Sequence, residues 1–253
     1  MDLNQTISDQ VFIVMPAYNE AVNIEQTICE WHRVVEKTGP HSRLIVFNDG
    51  SSDNTFAIMQ QIKQKYPQFI PITKLNTGHG ATCLYSYNYC IEAGIEYVFQ
   101  TDSDGQTNPE EFWRFWEKRK DYDFIIGTRN KRKDGLFRII TSRILQFIVY
   151  VIFGKNIKDA NTPFRLMKIT KLKPILNLIP LNYFLANVMI SLFVVKRSES
   201  YLRIPITFQK RKAGVNSINL RRIIVIGYNA IGDFYTIKQN TKELIYGSNS
   251  EIR

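Results

Sequence analysis

Short apolar runs alternate with helical spacing over the first half of the chain. The segments 21–37, 54–66 and 81–93 carry helical spacing, and a further helix begins at Pro109. The apolar runs that indicate strands are Val11–Met15, Leu44–Phe47, Phe69–Thr73, the run from Tyr97 up to Asp102, and Phe124–Gly127. This alternation predicts an α/β protein with one doubly wound, mostly parallel sheet flanked by helices.

Polar, turn-rich segments follow three of these strands, at 16–20, 48–55 and 102–106. Because right-handed crossovers bring the carboxyl ends of parallel strands to one edge of a sheet, we expect the three segments to meet there. The polar residues predicted at this edge are Tyr18, Glu20, Asp49, Asp53, Asp102 and Asp104.

Asp102 and Asp104 come directly after a strongly apolar strand. Two carboxylates one residue apart suit Mg²⁺ or Mn²⁺, which takes its other ligands from substrate phosphates. An ordinary turn after a strand also favours Asp and Gly, so the pattern alone leaves both interpretations open. The glycine patterns of the common dinucleotide and P-loop folds do not occur in the chain.

The composition of the chain limits which cellular compartment and which classes of binding partner we expect. The 253 residues carry a net charge of +10, which favours anionic partners such as phosphates, nucleic acid or a membrane surface. The three cysteines lack the spacing of a metal site, and the first ten residues lack the pattern of a signal peptide. No apolar run reaches the roughly 18 residues of a membrane span. We therefore expect a cytoplasmic protein, peripheral at the inner face of the membrane.

Four motifs occur in order over the first 106 residues: Pro16-Ala17-Tyr18-Asn19-Glu20, Asn48-Asp49-Gly50-Ser51-Ser52-Asp53-Asn54-Thr55, Asn76-x-Gly78-x-Gly80 and Asp102-Ser103-Asp104-Gly105-Gln106. Together they resemble the family 2 glycosyltransferases with the GT-A fold. The resemblance implies a nucleotide-diphosphate sugar as donor (a UDP- or GDP-sugar), a divalent metal, and inversion at the anomeric carbon.

The same resemblance assigns the donor-site residues. It implies a metal and diphosphate site at Asp102 and Asp104, with Gln106 assisting and Asp104 in a catalytic role. It also implies that the nucleotide-sugar site includes Pro16, Ala17, Tyr18, Glu20, Asp49 and Ser103.

The second half resembles the polyprenyl-phosphate branch, whose best-known type is dolichyl-phosphate mannosyltransferase. The motifs are Gly127-Thr128-Arg129-x-x-Arg132-x-Asp134-Gly135-x-x-Arg138, Asp159-x-x-x-Pro163-Phe164-Arg165 and Arg211-x-x-Gly214-x-Asn216-Ser217. That branch commonly has a Lys shortly after the last Gly, where this chain has Val-Asn-Ser. The resemblance therefore gives the diphosphate contact to Arg211, with Lys210 and Lys212 as alternates.

The acceptor is predicted from the distribution of charge. Transfer to a sugar hydroxyl needs a general base, and family members of that kind carry a carboxylate in the stretch that corresponds to 183–188. This chain has no acidic residue between Asp159 and Glu199. A phosphate acceptor needs cations instead, and these are available at Arg129, Arg132, Arg138 and Arg143, the first two in a catalytic role. We expect undecaprenyl or dolichyl phosphate, although a solvated basic loop would show the same run.

Two amphipathic segments bear on the membrane and on domain organisation. Leu136–Phe153 has one narrow polar stripe, and Leu220–Ile237 has an apolar face with two arginines at its start. Such faces bind the membrane interface, pack on a core, or associate in a homo-oligomer. We expect a GT-A domain over 1–220 and an amphipathic helix with a flexible tail over 221–253.

Three alternative functions fit the sequence less well. A glycosyltransferase that adds a sugar to a carbohydrate hydroxyl in polysaccharide assembly shares the donor half but lacks its base here. A sugar-nucleotide pyrophosphorylase needs a glycine-rich basic loop after the first strand, where Pro16–Glu20 has neither Gly nor Lys. An acidic sheet edge is the wrong lining for nucleic acid, so no nucleic-acid partner is expected.

Overall fold

The computed structural model describes residues 9–129, 136–157, 159–209, 232–235, 237 and 239, with the backbone alone at 136–142. The strands within these residues are β1 (Val11–Ala17), β2 (Arg43–Asp49), β3 (Phe69–Lys74), β4 (Tyr97–Gln100), β5 (Phe124–Arg129), β6 (Arg165–Lys168) and β7 (Tyr201–Ile206). The helices are α1 (Ile24–Thr38), α2 (Thr55–Lys63), α3 (His79–Glu92), α4 (Phe112–Trp116), α5 (Leu136–Phe153), α6 (Ile169–Leu176) and α7 (Ala186–Lys196). A single 3₁₀ turn, Pro109–Glu111, leads into α4.

The strands of the described residues form one sheet in the order β3-β2-β1-β4-β6-β5-β7. Neighbouring strands from β3 to β4 are parallel, and β7 is parallel to β5. Only β6 runs against its neighbours, between β4 and β5. The predicted mostly parallel α/β sheet is confirmed, and its one reversed strand separates the first four strands from β5 and β7.

Each face of the sheet carries one hydrophobic core. On one face, α1 buries a stripe of Ile24, Ile28, Trp31 and Val35 at helical spacing, next to α2 and α4. On the other face lie α3, α6 and α7, and every residue of α7 from Ala186 to Val194 is buried. A helix that is apolar on all sides belongs in a core, and α7 lies there.

The boundaries of three predicted helices shift by a few residues. The helix predicted over 54–66 is Thr55–Lys63, and the one predicted over 81–93 begins earlier, at His79. The one predicted over 21–37 begins at Ile24. Asp53 accepts a hydrogen bond from the backbone N–H of Thr55 but lies one residue outside the cap position, which Asn54 occupies.

The two amphipathic segments differ in how they are covered. Helix α5 has the predicted bounds, and within its last eleven residues Val149, Ile152 and Phe153 are buried while Phe147 and Val151 are exposed. Of the segment 220–237, Phe234 packs against the rings of Phe153 and Tyr183. No helix among the described residues has the length and apolar character to cross a bilayer.

Candidate active site

The loops after β1 and β2 are joined by hydrogen bonds at the carboxyl edge of the sheet. Asn19, in the left-handed region at φ 54°, donates its backbone N–H to Ser51 Oγ at 2.9 Å. Its side-chain oxygen accepts the backbone N–H of Ser52 at 2.9 Å. Asp53 accepts the backbone N–H of Ala21 at 3.1 Å. The two loops therefore form one rigid rim.

The residues of the motif Pro16–Glu20 differ in how far they are buried in this rim. Pro16 and Ala17 are buried at the end of β1, and Tyr18 is 43% exposed above them. Glu20 is buried, accepts a hydrogen bond from Asn23 at 2.9 Å, and donates its backbone N–H to Thr55 at 2.8 Å. Of these four residues, Tyr18 is the one whose side chain is open to a ligand.

Asp49 lies at the end of β2, where it is buried and bonded to the loop after β3. Its carboxylate forms an ion pair with Lys74 and accepts the backbone N–H groups of Thr77 at 2.9 Å and Gly78 at 2.8 Å. Burial alone would raise the pKa of Asp49, but the hydrogen bonds from Lys74 and Thr77 lower it below its ordinary value. The carboxylate is thus held ionised at the edge.

Sequence reasoning missed Lys74, although a signal was present. Asp49 and Lys74 are the last residues of adjacent parallel strands and are paired in register. Once the register of two strands is known, opposite charges at their last residues predict an ion pair between them.

The segment after β4 lies beside the same rim. Ser103 is buried and donates its hydroxyl to the carbonyl oxygen of Pro16 at 2.8 Å, which joins this segment to β1. Asp104 accepts the backbone N–H of Gln106 at 3.1 Å. The structure therefore brings together the ends of β1, β2 and β4, as the alternation of strands and helices predicts.

Asp102 has the features of a cation ligand. Its Oδ1 atom is buried without a hydrogen-bond partner, and the nearest basic atom, His79 Nε2, is 3.9 Å away. Cys83 together with Asp102 and Asp104 raises the pKa of His79. No group of three His, Cys, Asp or Glu side chains among the described residues could hold a metal. The oxygen atoms of Asp102 and Asp104 suit Mg²⁺ or Mn²⁺ where a ligand supplies the remaining oxygens.

Gln106 is engaged with the segment after β7. Its side-chain amide donates to the carbonyl oxygen of Gln209 at 2.7 Å, and the backbone N–H of Gln209 donates to the carbonyl oxygen of Gln106 at 2.8 Å. A β-bridge joins Thr107 to Phe208. In this arrangement Gln106 fixes the 207–209 segment beside Asp104.

Arg129 ends β5 and is held by Asp159. Asp159 accepts the backbone N–H of Arg129 at 2.9 Å, the side-chain Nε at 3.1 Å and Nη2 at 2.5 Å. The ring of Phe208 lies 5.2 Å from the guanidinium carbon. The motif Asp159-x-x-x-Pro163-Phe164-Arg165 suggests a structural pair of Asp159 with Arg165, but the carboxylate of Asp159 is bonded to Arg129 instead.

Arg165 is instead fully buried and bonded to carbonyl oxygens. It donates to Thr162 at 2.6 Å, to Ala160 at 3.1 Å and to Asn187 at 3.2 Å. Burial lowers the pKa of Arg165. The guanidinium therefore joins the loop before β6 to the head of α7.

The head of α7 carries an amide and packs tightly on α3. Tyr87 on α3 lies within hydrogen-bond distance of Asn187, at 3.1 Å, and of Gln100 on β4, at 2.7 Å. Gly80 lies so close to Phe184 that an added β-carbon would be 2.1 Å from its carbonyl oxygen.

The remaining predicted residues stay predictions. Arg132 and Arg211, like the alternates Lys210 and Lys212, lie outside the described residues, as does the side chain of Arg138. Arg143 is exposed on α5.

Known proteins are similar to this chain in sequence and in fold. The undecaprenyl-phosphate 4-deoxy-4-formamido-L-arabinose transferases of Salmonella paratyphi B and Salmonella newport are 24% identical over 223 residues, or 88% of this chain and 66% of each relative. The chain thus spans just under two thirds of their length. The glucosyl-3-phosphoglycerate synthase of Mycobacterium tuberculosis, crystallised with Mn²⁺ and UDP-glucose, superposes with a TM-score of 0.66. At 13% identity, over 90% of this chain and 79% of that one, the likeness shows a common GT-A fold.

The model of glycosyl transferase family 2 matches residues 12–176. This match covers more than half of the chain, and the chain therefore belongs to glycosyl transferase family 2.

Proposed function

We propose that the protein transfers a sugar from a nucleotide-diphosphate sugar to a polyprenyl phosphate at a membrane surface. The observation that carries the proposal is a contrast between the end of β5 and the head of α7. Asp159 holds Arg129 at the end of β5, whereas the head of α7 offers no carboxylate. The names of the Salmonella relatives support the same acceptor class.

The donor side suits a charged leaving group. Asp102 and Asp104 would hold Mg²⁺ or Mn²⁺, which when bound stabilises the negative charge of the departing diphosphate. Tyr18 and Asp49 would contact the nucleoside, Tyr18 with its exposed ring and Asp49 by accepting a base N–H. Asp102, with a buried oxygen that lacks a donor, is the strongest support for a cation at this edge.

A general base is unnecessary for a phosphate acceptor. Asn187 is buried at the head of α7 within hydrogen-bond distance of Tyr87, and no acidic residue follows Asp159 before Glu199. A phosphate oxygen is already anionic at neutral pH and can attack the anomeric carbon directly. The new bond joins that oxygen to the anomeric carbon, while the bond to the diphosphate breaks and its electron pair leaves with the nucleotide.

Helix α5 supports a lipid acceptor. Its exposed residues Ile144, Phe147 and Val151 share one face at helical spacing, next to the exposed Arg143. A small cleft between α5, the loop before β6 and α7 also reaches Asp159, the partner of Arg129; its walls include Leu145, Val149, Ile157 and Val188. An apolar face with a cation beside it suits the interface of an anionic membrane.

A product assay tests this proposal. The purified protein is incubated with a panel of UDP- and GDP-sugars, Mg²⁺ or Mn²⁺, and either a short-chain polyprenyl phosphate or an oligosaccharide acceptor. We expect a glycosyl phospholipid that mild acid hydrolyses, and no product with the oligosaccharide. A sugar bonded to a carbohydrate hydroxyl, with no glycosyl phospholipid, would contradict the proposal and favour the polysaccharide alternative.

A further inference from the structure

Arg129 is held on two sides by residues that lie far from it in the chain. Asp159, thirty residues later, accepts hydrogen bonds from three donors of Arg129: the side-chain Nε and Nη2 and the backbone N–H. Phe208 covers the guanidinium with its ring at 5.2 Å. Both side chains of the ion pair are largely buried, with exposed fractions of 15% for Arg129 and 10% for Asp159.

The two contacts act on different degrees of freedom of the guanidinium. A carboxylate that accepts two parallel N–H bonds fixes the plane and the direction of the arginine fork. An aromatic ring above the plane attracts the cation and limits its movement out of that plane. Ordering a long side chain such as arginine costs conformational entropy. Because Asp159 and Phe208 already order Arg129, less entropy is lost when a ligand binds.

Phe208 also links Arg129 to the metal-binding segment. It forms a β-bridge with Thr107, and the next residue, Gln209, exchanges hydrogen bonds with Gln106. Since Gln106 donates its backbone N–H to Asp104, a short chain of contacts connects the Asp104 carboxylate with the guanidinium of Arg129. The distance between the cation and the acidic edge is therefore set by packing.

Asp159 adopts an uncommon backbone conformation to make its contacts. Its φ angle of 46° lies in the left-handed region, which is strained for a non-glycine residue. A carboxylate retained at such a position, with hydrogen bonds to a side chain and to the backbone of the same arginine, has a specific geometric task.

We propose that Asp159 and Phe208 are positioning residues that hold the Arg129 guanidinium in place for the anionic phosphate of the acceptor. The inference rests on the proposed function, because it names Arg129 as an acceptor contact. Neither residue is required to touch the sugar donor. Their loss should therefore weaken acceptor binding selectively.

The experiment compares Phe208→Leu, Phe208→Tyr and Asp159→Asn with the wild-type protein. Phe208→Leu removes the aromatic face but keeps an apolar side chain, and we expect the KM for polyprenyl phosphate to rise about fivefold. Phe208→Tyr keeps the ring and should restore the wild-type value. Asp159→Asn keeps the shape of the side chain but removes its charge, and should raise that KM about tenfold. The KM for the sugar nucleotide should stay within about twofold in all three variants.

Calorimetric titration with short-chain polyprenyl phosphate, without donor, measures the same loss as a rise in Kd. Tyr201→Leu is a matched control, because it removes an exposed cation–π contact with Arg203 on β7. Its KM and Kd values should equal those of the wild type.

The outcomes separate this inference from the function on which it rests. A wild-type protein that makes no glycosyl phospholipid contradicts the proposed function. Lipid transfer by the wild type with an unchanged lipid KM in Phe208→Leu and Asp159→Asn overturns the inference alone. Equal rises in both KM values, or a failure of Phe208→Tyr to restore binding, also overturn it, because they indicate a general structural defect.

Discussion

The proposed donor edge and the proposed acceptor edge of this protein are built in different ways. At the donor edge, the ends of β1, β2 and β4 are held together by contacts between neighbouring loops, such as Asn19 with Ser51 and Ser103 with Pro16. At the acceptor edge, a charged pair and an aromatic ring come from Arg129, Asp159 and Phe208. Sheet topology thus creates the donor edge, whereas side-chain pairing creates the acceptor edge.

This difference predicts where a substitution acts. Asp102 and Asp104 follow a strand whose position is set by its pairing with β1 and β6, so we expect their loss to affect chemistry more than the fold. Gly80 and Phe184 belong to the packing that joins α3 to the loop before α7. Their replacement should affect the fold first.

The largest effect is expected at Asp102 and Asp104, the proposed metal ligands. Asp104→Asn and Asp102→Asn should lower the transfer rate by about a hundredfold to a thousandfold, because the leaving diphosphate loses its charge stabilisation. EDTA should abolish wild-type transfer, and added Mn²⁺ or Mg²⁺ should restore it. Full activity in EDTA would remove the metal from the mechanism.

A stability measurement sharpens the same prediction. Asp102 Oδ1 is buried without a hydrogen-bond partner, so an amide at this position removes a poorly solvated charge. Thermal unfolding without metal should therefore show Asp102→Asn to be at least as stable as the wild type. A lower Tm would assign this carboxylate to the structure of the edge.

The next largest effect is expected at the contact of Gly80 on α3 with Phe184 in the loop before α7. Gly80→Ala would place a β-carbon 2.1 Å from the carbonyl oxygen of Phe184, and backbone on both sides leaves little room to adjust. We expect a loss of about 3 kcal/mol in the free energy of unfolding, measured by urea denaturation. Gly94→Ala is the control: its added carbon meets no atom within 4 Å, and its φ of +67° predicts a loss of about 1 kcal/mol. Equal losses in the two variants would contradict the packing explanation.

A smaller effect is expected at Asp49, and it depends on pH. Its pKa is lower in the folded protein than its ordinary value of 3.8, so the stability it contributes is present at neutral pH. That contribution is lost as the pH falls below about 5 and through the folded-state pKa. Asp49→Asn should cost about 2 kcal/mol at pH 7, and the difference from the wild type should shrink towards pH 3.

Asp53→Asn is the matched control for the nucleoside contact. Hydrogen bonds from Thr55 and Ala21 outweigh the effect of burial and lower the pKa of Asp53 as well. Asp53→Asn should therefore also lower the free energy of unfolding at neutral pH. Only Asp49→Asn should weaken UDP or GDP binding in calorimetry. Equal nucleotide affinity in the two variants would exclude Asp49 from the nucleoside site.

The donor edge was predictable because its signals are local. Alternating strands and helices place Asp49, Asp102 and Asp104 at strand ends, and topology alone brings such ends to one edge. The separation of β5 from β4 was not predictable in this way. Strand β6 has only four residues, begins with the buried Arg165, and shows no apolar run that marks a strand.

The contacts of the acceptor edge depend on that unpredicted strand. With β6 inserted between β4 and β5, the preceding loop brings Asp159 to the end of β5, where it meets Arg129. Spacing along the chain suggests Arg165 as the partner of Asp159, because Arg165 is only six residues away in the sequence. The contact of Phe208 with Arg129 spans 79 residues and has no local signal.

The smallest effect is expected at the exposed face of α5. Phe147 and Val151 are 66% and 60% exposed and lie four residues apart on one face of the helix. The double variant Phe147→Ser/Val151→Ser should weaken binding to vesicles with anionic lipid about tenfold, because apolar surface no longer enters the interface. Leu75→Ser, at an apolar position that is 87% exposed elsewhere, controls for a general loss of surface hydrophobicity and should bind as the wild type does. Binding should also weaken at high salt, since Arg143 and its neighbours attract the anionic surface. Unchanged vesicle binding, together with a shift from dimer to monomer in sedimentation, would instead assign this face to a second copy of the protein.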